Sequence, residues 1–454
     1  MTGNLTLTEL AGLVESGEID TVMACIVDMQ GRLQGKRFLA RHFVESAWEE
    51  THCCNYLLAT DLEMWTVEGY ASTSWAAGYG DYMMKPDLST LRRAGWLPRT
   101  AMVLCDVLDH HGHAPIAHSP RAMLRAQVDR LAAMGLEAIA ATALEFFIFK
   151  KSFEELRAEG YRDLAPLTDY NADYSLLLGT KDEPVMHPLR QGLAASGIPV
   201  EGTKGEAEAG QEELNLRYGP ALDCAEYHVI AKHAAKEVGL LTGHAVSFLP
   251  KWDHRRVGSA SHVHQSLRGQ DGTPVFFEPG AELGLSKLAR NYLGGLLKYA
   301  DDITLFMAPY VNSYKRFQKG SFAPTRKVWS VDNRTAAFRL VAESTPAVRI
   351  ECRVPGADVN PYLALAGMLA AGIAGIEEEI EPPAPMTGDA YEGEAEHIPT
   401  TLREAVRAME GSKMLRAAFG DAVVDHYVRA GTWEQEAFDA VVTDWELARG
   451  FERA

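Results

Sequence analysis

From Asp20 to about Asp106 the chain carries short apolar, β-rich runs, TVMACIVDM, NYLLATDLEM and TAMVLCDVL, separated by turns at Gly31, Gly69, Gly78 and Gly80. These runs predict a small α+β unit. The pattern then changes: DHHGHAPIAHSP, Asp109 to Pro120, is turn-forming, and Ser119-Pro120 supplies an N-cap and a first-turn proline. Met123, Leu124, Val128, Leu131 and Met134 follow at core-facing spacing, so a helix is predicted up to Gly135. Further on, strand-like segments (EAIAATALEFFIF, SHVHQSL, AVRIECRV) alternate with helix-like ones (ALDCAEYHVIAKHAAKEVG, the run from Leu363, TLREAVRAMEG). This predicts a large α+β domain reaching the C-terminus. The longest apolar stretch, Leu363 to Ile376, is rich in Ala and Gly, is followed by Glu377, Glu378 and Glu379, and falls short of the ~20 residues a membrane span needs. It reads as a buried, closely packed helix. The acidic, Pro- and Gly-rich segment from Pro382 to Pro399 is expected to be a solvated surface loop.

Composition narrows the classes. With 454 residues, 47% hydrophobic and 23% charged, the chain has the makings of a sizeable core and lies far from disordered or fibrous sequences. Forty-four basic against 62 acidic residues give a net charge of −18, which opposes nucleic acid or an anionic membrane as partner. A small charged ligand fits better. The start, MTGNLTLTEL, lacks a basic end followed by an apolar block, so cytoplasmic residence is expected. Six scattered cysteines without a CxxC pair indicate reduced, structural thiols. The histidines of the Asp109–Pro120 cluster are read as part of an exposed linker.

Several segments could carry chemistry. In the strand ATALEFFIF, Glu145 shares a face with Ala143 and Phe147, and a carboxylate in so apolar a strand must be paired, protonated or bound to a cation. EGTKGEAEAGQEEL sets Glu206, Glu208, Glu212 and Glu213 around Gly210, a pattern able to direct oxygens to a hard cation, although acidic runs more often form solvated faces. In GSASHVHQSL, His262 and His264 point the same way alongside Ala260 and Ser266 and suit metal or phosphate. Arg349, Glu351 and Arg353 share one face of RIECRVPG, an arrangement costly unless it holds an anion, or an anion and a metal. Lys315, Arg316, Lys319, Arg326, Lys327, Arg334 and Arg339 form a local basic region that suggests phosphate or carboxylate recognition. Together these are the components of metal-assisted phosphoryl transfer. Gly31 to Arg37 (GRLQGKR) is one residue short of a phosphate-binding loop, lacks its Ser/Thr and reads as a turn.

The ordered set EFF, GQEE, GSASHVHQSL, NSYKRF, FAPT, DNRTAAFR and RIECRVPGADVNPYLALA resembles the glutamine synthetase family from about Asn55 onward, and within it the branch that joins glutamate to organic amines. The resemblance implies an α+β fold: an N-terminal β-grasp domain, here residues 1–115, and a catalytic domain, residues 116–454. It also implies a homododecamer of two hexameric rings with active sites between neighbouring subunits. ATP would phosphorylate glutamate and an amine would displace phosphate. Carried over by motif, Glu145, Glu206 and Glu213 look like ligands of one Mg²⁺ or Mn²⁺, and His262 and Glu351 like ligands of a second. Arg316 resembles the arginine that grips the glutamate α-carboxylate, with Gly258 assisting through its backbone. Arg334, Arg339 and Arg353 resemble the arginines around the transferring phosphoryl group, and His264, Ser266 and Arg349 match positions lining the nucleotide.

Two departures stand out. Ala143 occupies a place where the family usually has a metal-binding carboxylate, which points to weaker binding of the second ion and leaves a non-catalytic regulatory or structural ring as an alternative. Phe322 replaces the glutamate with which ammonium-using members close the site. Its apolar wall suits a polyamine, ethanolamine, an alkylamine or an arylamine, with an ordinary ammonium-using synthetase as the alternative. Asp61, Glu63 and Asp81 are candidate bases by position. Tyr391, in a loop resembling one that is adenylylated in some relatives, is expected to be an ordinary surface tyrosine.

Overall fold

The computed structural model describes residues 3–454. Six strands make the first sheet: β1 (Thr21–Val27), β2 (Leu33–Leu39), β3 (Thr51–Cys54), β4 (Asp81–Pro86), β5 (Arg92–Arg93) and β6 (Thr100–Asp109). The order is β2-β1-β6-β4-β3, with β5 on β6, and only β1 and β6 run parallel. β1 and β6 are buried along almost their whole length, as their continuous apolar runs require. Gly31, at φ +76°, turns β1 into β2; of the GRLQGKR string only Gly31 and Arg32 belong to the hairpin turn, and Leu33 to Arg37 are strand β2. NYLLATDLEM is not a strand. Asn55–Leu58 forms a short 3₁₀ turn, and the Asp61 carboxylate then accepts from the backbone N–H groups of Glu63 (3.0 Å) and Trp65 (2.9 Å), bending the chain into a loop.

The nine-stranded second sheet comprises β7 (Leu136–Phe149), β8 (Val200–Gly205), β9 (Gln211–Leu216), β10 (Gly219–Pro220), β11 (Ala245–Ser247), β12 (Ser261–Gly269), β13 (Trp329–Val331), β14 (Phe338–Val341) and β15 (Arg349–Cys352). Its main path is β13-β14-β15-β12-β7-β9-β8, antiparallel except between β13 and β14. Helix Pro120–Ala133 starts at Ser119-Pro120 as expected and buries Met123, Leu124 and Leu131, while Met134 lies just past its end and is exposed. Helix Pro361–Glu377 is buried from Pro361 to Gly375. Its glycines permit close contact: a Cβ on Gly295 of helix Lys287–Lys298 would lie 2.7 Å from Gly375 Cα. Among the described residues no helix is long and apolar enough to cross a membrane.

Polar contacts tie the first sheet and its loops to the helices of the second unit. Arg121, nearly fully buried, bonds Glu226 at 2.7 Å and Asp87 at 2.6 Å and also pairs with Asp106. Asn360 donates to the carbonyls of Asp28 and Met29, both at 3.1 Å. Five of the six cysteines are buried and all are free thiols. The segment from Pro382 to Pro399 is not a solvated connector: Met386 bonds Trp329 and Ser330, and Ala390, Tyr391 and Ile398 are buried. Nor is the histidine cluster uniformly exposed, because the His118 ring stacks on buried His426 with centroids 4.1 Å apart.

Candidate active site

Strand alternation delivers Ala143 and Glu145 of β7 to a cleft of about 1090 Å³, while Leu144 and Phe146 enter the core. Glu145 lies opposite Glu213 of β9 in the antiparallel register, and Glu206 follows the end of β8. The connection turns at Gly210, where φ is +67° and a Cβ would lie 2.7 Å from Pro166. One carboxylate oxygen from each of Glu145, Glu206 and Glu213 lies within 4.8 Å of the others. Glu145 accepts from the Ala260 N–H at 2.7 Å and from Gln211 Nε2 at 3.3 Å. Burial, then the neighbouring Glu206 and Glu213, push the Glu145 carboxyl up to about 8; burial and Glu206 push Glu213 up to about 7. Among the described residues, the one ion pair made by this trio is Lys204 Nζ to Glu206 Oε1, at 2.5 Å. An all-oxygen set with excess negative charge fits a hard divalent cation of the Mg²⁺ or Mn²⁺ type. The other two carboxylates of the segment diverge. Glu208 pairs with Arg256 at 2.8 Å, and Glu212 turns to the opposite face beside buried Asp182.

Next to this trio, the ladder β14-β15-β12 aligns Arg339, Glu351 and His264 in one row. His262, two residues along β12, faces Ala143 of β7. Glu351 is held by Arg353 Nη1 at 2.7 Å and Arg339 Nη1 at 3.0 Å, with His262 Nδ1 at 3.6 Å. Burial alone would raise its carboxyl, but its positively charged neighbours, with Arg353 and Arg339 in direct ion pairs, hold it down to about 2. Burial also keeps His262 well below the ordinary histidine range and His264 at about 4, so both imidazoles are neutral and able to act as ligands. This second group therefore offers a neutral imidazole and a carboxylate already compensated by two arginines. Ala143 adds no oxygen.

Arg316 lies under the floor of the cleft, 3% exposed, donating to the carbonyls of Val354 and Arg353. Its buried Nε has no protein partner among the described residues, so it keeps a donor for a ligand. Gly258 packs against it: a Cβ there would lie 2.7 Å from Arg316 Cγ and closer still to the Pro250 carbonyl. Arg334 is exposed at the rim, and its carbonyl accepts from Arg353 Nε at 3.1 Å. Phe322, 56% exposed and in the left-handed region at φ +57°, presents its ring at the mouth. Phe322 also lines a smaller neighbouring cavity shared with Asp389 and Tyr391. A cavity of about 1460 Å³ adjoins the main cleft through Ala143, Asn215 and His264 and holds Ser266 and Arg349. Arg349 Nε reaches His264 Nδ1 at 3.4 Å.

All thirteen residues assigned by resemblance, and Phe322 with them, thus line these two connected cavities. The rest of the basic region does not. Lys319 pairs with Glu392, Lys327 with Asp301 and Glu396, and Arg326 with the carbonyls of Tyr391 and Ala395, while Lys315 sits over the Phe438 ring. Asp61, Glu63 and Asp81 do not line the cleft of their own chain; Asp61 lines a separate cavity with Tyr70 and Glu434. Tyr391 is 9% exposed, not a surface tyrosine, and its hydroxyl donates to the Ala323 carbonyl at 3.0 Å beside Phe322. Sequence reasoning missed Lys204, which is bonded to Glu206, lies 3.1 Å from Asp173 and sits over the Tyr174 ring at 4.3 Å. It also missed Asn215, which faces Ala143 and donates to Glu213 at 2.7 Å. In a strand of period two, Lys204 and Glu206 share a face, and that was the available signal.

Residues 117–450 match the family model described as glutamine synthetase, catalytic domain. The chain is 46% identical over 450 residues to a gamma-glutamylethanolamide synthetase of Streptomyces coelicolor, covering 99% of this chain and 96% of the relative. It is 34% identical to a glutamate–isopropylamine ligase of a Pseudomonas species, covering 98% and 97%. Among solved structures, the GmaS–ADP complex superposes with a TM-score of 0.86 at 26% identity, covering 98% of this chain and all of that one.

Proposed function

Because this chain belongs to the glutamine synthetase family, we propose that it is an ATP-dependent ligase joining the γ-carboxylate of glutamate to an organic amine. The observation that carries the reading is Phe322: an apolar ring stands at the mouth of a cleft lined by five carboxylates and four arginines. Such a ring supplies neither a negative charge nor a proton acceptor to a bare ammonium ion, and it offers a contact surface to the carbon body of a substituted amine. The two relatives named for ethanolamide and isopropylamine support a short alkyl chain, with or without a hydroxyl.

In this reading Arg316 and the Gly258 backbone hold the glutamate α-carboxylate, leaving the γ-carboxylate beside the phosphoryl-transfer site. A γ-carboxylate oxygen attacks the terminal phosphorus of ATP and ADP leaves, giving γ-glutamyl phosphate. The amine nitrogen then attacks the γ-carbonyl carbon, phosphate leaves, and the nitrogen gives up a proton. Arg334, Arg339 and Arg353 surround the transferring group, where positioned positive charge stabilises a loose transition state without covalent help. His264, Ser266 and Arg349 line the nucleotide side. A divalent cation, Mg²⁺ or Mn²⁺, held by Glu145, Glu206 and Glu213 supplies further charge there when bound, and His262 with Glu351 would take a second ion.

The reading extends to the assembly: a cytoplasmic homododecamer of two hexameric rings, with residues 1–115 as a β-grasp domain and 116–454 as the catalytic domain. Asp61, Glu63 and Asp81, remote from their own cleft, would then serve a neighbour's. The test is phosphate release measured with each component left out in turn. Release requiring ATP, divalent cation, glutamate and an amine together is expected. No release with any amine would favour the non-catalytic reading that Ala143 suggests.

A further inference from the structure

Lys204 lies in a cage with three walls. Its Nζ touches Glu206 at 2.5 Å and Asp173 at 3.1 Å and lies 4.3 Å from the centre of the Tyr174 ring. The strand register places Lys204 opposite Glu213, so the ammonium projects into the carboxylate trio. Both partners of the Lys204–Glu206 pair are largely buried, with side-chain exposures of 22% and 16%, so water screens the contact poorly. A Glu206 oxygen carrying this ammonium has one lone-pair direction fewer for a metal, and a divalent ion held by the trio would be repelled by the ammonium.

We propose that Lys204 is a tethered counter-cation of the first metal site: it holds Glu206 in the absence of the divalent ion, competes with that ion for the carboxylate, and moves fully onto Asp173 when displaced. This rests on the reading of Glu145, Glu206 and Glu213 as metal ligands. It makes Lys204 a positioning residue with two consequences. In the free trio the ammonium compensates the charge of Glu206. Metal occupancy is also coupled to the segment carrying Asp173 and Tyr174, which together with Phe322 lines the cleft.

The experiment is Mn²⁺ titration of the intact protein, without nucleotide, followed by calorimetry and by the loss of the free-ion paramagnetic resonance signal. Lys204→Met, nearly isosteric and uncharged, is expected to bind Mn²⁺ on the order of tenfold tighter, the size of one charged hydrogen bond. Asp173→Asn removes the acceptor for the displaced ammonium and is expected to weaken Mn²⁺ binding several-fold in the wild-type background and to change it little in the Lys204→Met background. Lys204→Arg, which keeps the charge, guards against a folding defect and is expected to stay near the wild-type affinity. Unchanged affinity in Lys204→Met, or an Asp173→Asn effect of equal size in both backgrounds, overturns the competition. No Mn²⁺ binding by wild type or by Lys204→Met overturns the metal reading itself.

Discussion

Gly258→Ala tests the glutamate-holding role of Arg316 without touching a charged group. The new methyl would lie 2.7 Å from Arg316 Cγ and closer still to the Pro250 carbonyl. That carbonyl accepts from the Ser259 N–H at 2.9 Å, so the backbone around Pro250 and the arginine both have to yield. Ordinary carbon–carbon contact lies at ~3.5–4.0 Å, which requires a displacement of about 1 Å. The guanidinium is anchored on the Val354 and Arg353 carbonyls, and a shift of that size strains or breaks a charged hydrogen bond, at about 1.5–3 kcal/mol. A 1 Å misplacement of a substrate-positioning group costs on the order of 10²-fold in rate. We therefore expect kcat/KM for glutamate to fall roughly 100-fold, mainly through KM, in a phosphate-release assay with saturating ATP and amine. The melting temperature should fall by a few degrees, as a loss of that size requires, with ATP affinity unchanged. A glutamate KM within twofold of wild type in a folded Gly258→Ala variant would refute the placement of glutamate beside Arg316.

Further outcomes follow from the same geometry. Ala143 faces His262 and Asn215, so Ala143→Glu restores an oxygen beside the imidazole and should raise nucleotide-free Mn²⁺ stoichiometry from one ion per subunit to two, while continued one-to-one binding would contradict the second-site assignment. Tyr391→Phe removes the bond to the Ala323 carbonyl and should cost about 1 kcal/mol in denaturant unfolding and raise KM for the amine but not for glutamate. Buried His228, bonded to Thr142 at 3.0 Å, is held by burial at about 3 against an ordinary 6.5. Because the fold favours its neutral form, its contribution is complete above pH 6.5 and is lost as pH falls toward 3. His228→Gln should therefore flatten the acid limb of stability by about 2 kcal/mol between pH 6.5 and 5, and an unchanged limb would exclude His228 as its source.

Much of the site was legible because strand periodicity is rigid: once Leu136–Phe149, Ser261–Gly269 and Arg349–Cys352 are strands, Glu145, His262, His264, Arg349 and Glu351 are fixed in their facing, and Arg353 follows just past the strand end. Cross-strand neighbours were not legible, since register depends on pairing between distant segments. That is why Ala143 facing His262 and Asn215, and Lys204 reaching Asp173, emerge only in three dimensions. NYLLATDLEM misled because its apolar content suits a strand, whereas the Asp61 carboxylate captures two backbone N–H groups and forces a turn. The Pro382–Pro399 segment misled because its composition suits solvent, yet Tyr391 finds a buried acceptor at the Phe322 loop. The same lack of local information explains the basic run 315–339, in which only Arg316, Arg334 and Arg339 reach the cleft.

The central claim is selection of an organic amine over ammonium, and the most direct measurement compares kcat/KM for ethanolamine, isopropylamine, putrescine and ammonium, with glutamate, ATP and Mg²⁺ saturating. One organic amine is expected to exceed ammonium by at least 10-fold, with Phe322→Glu narrowing the ratio by lowering the first and raising the second. Ammonium as the best substrate of the wild-type protein would contradict the account.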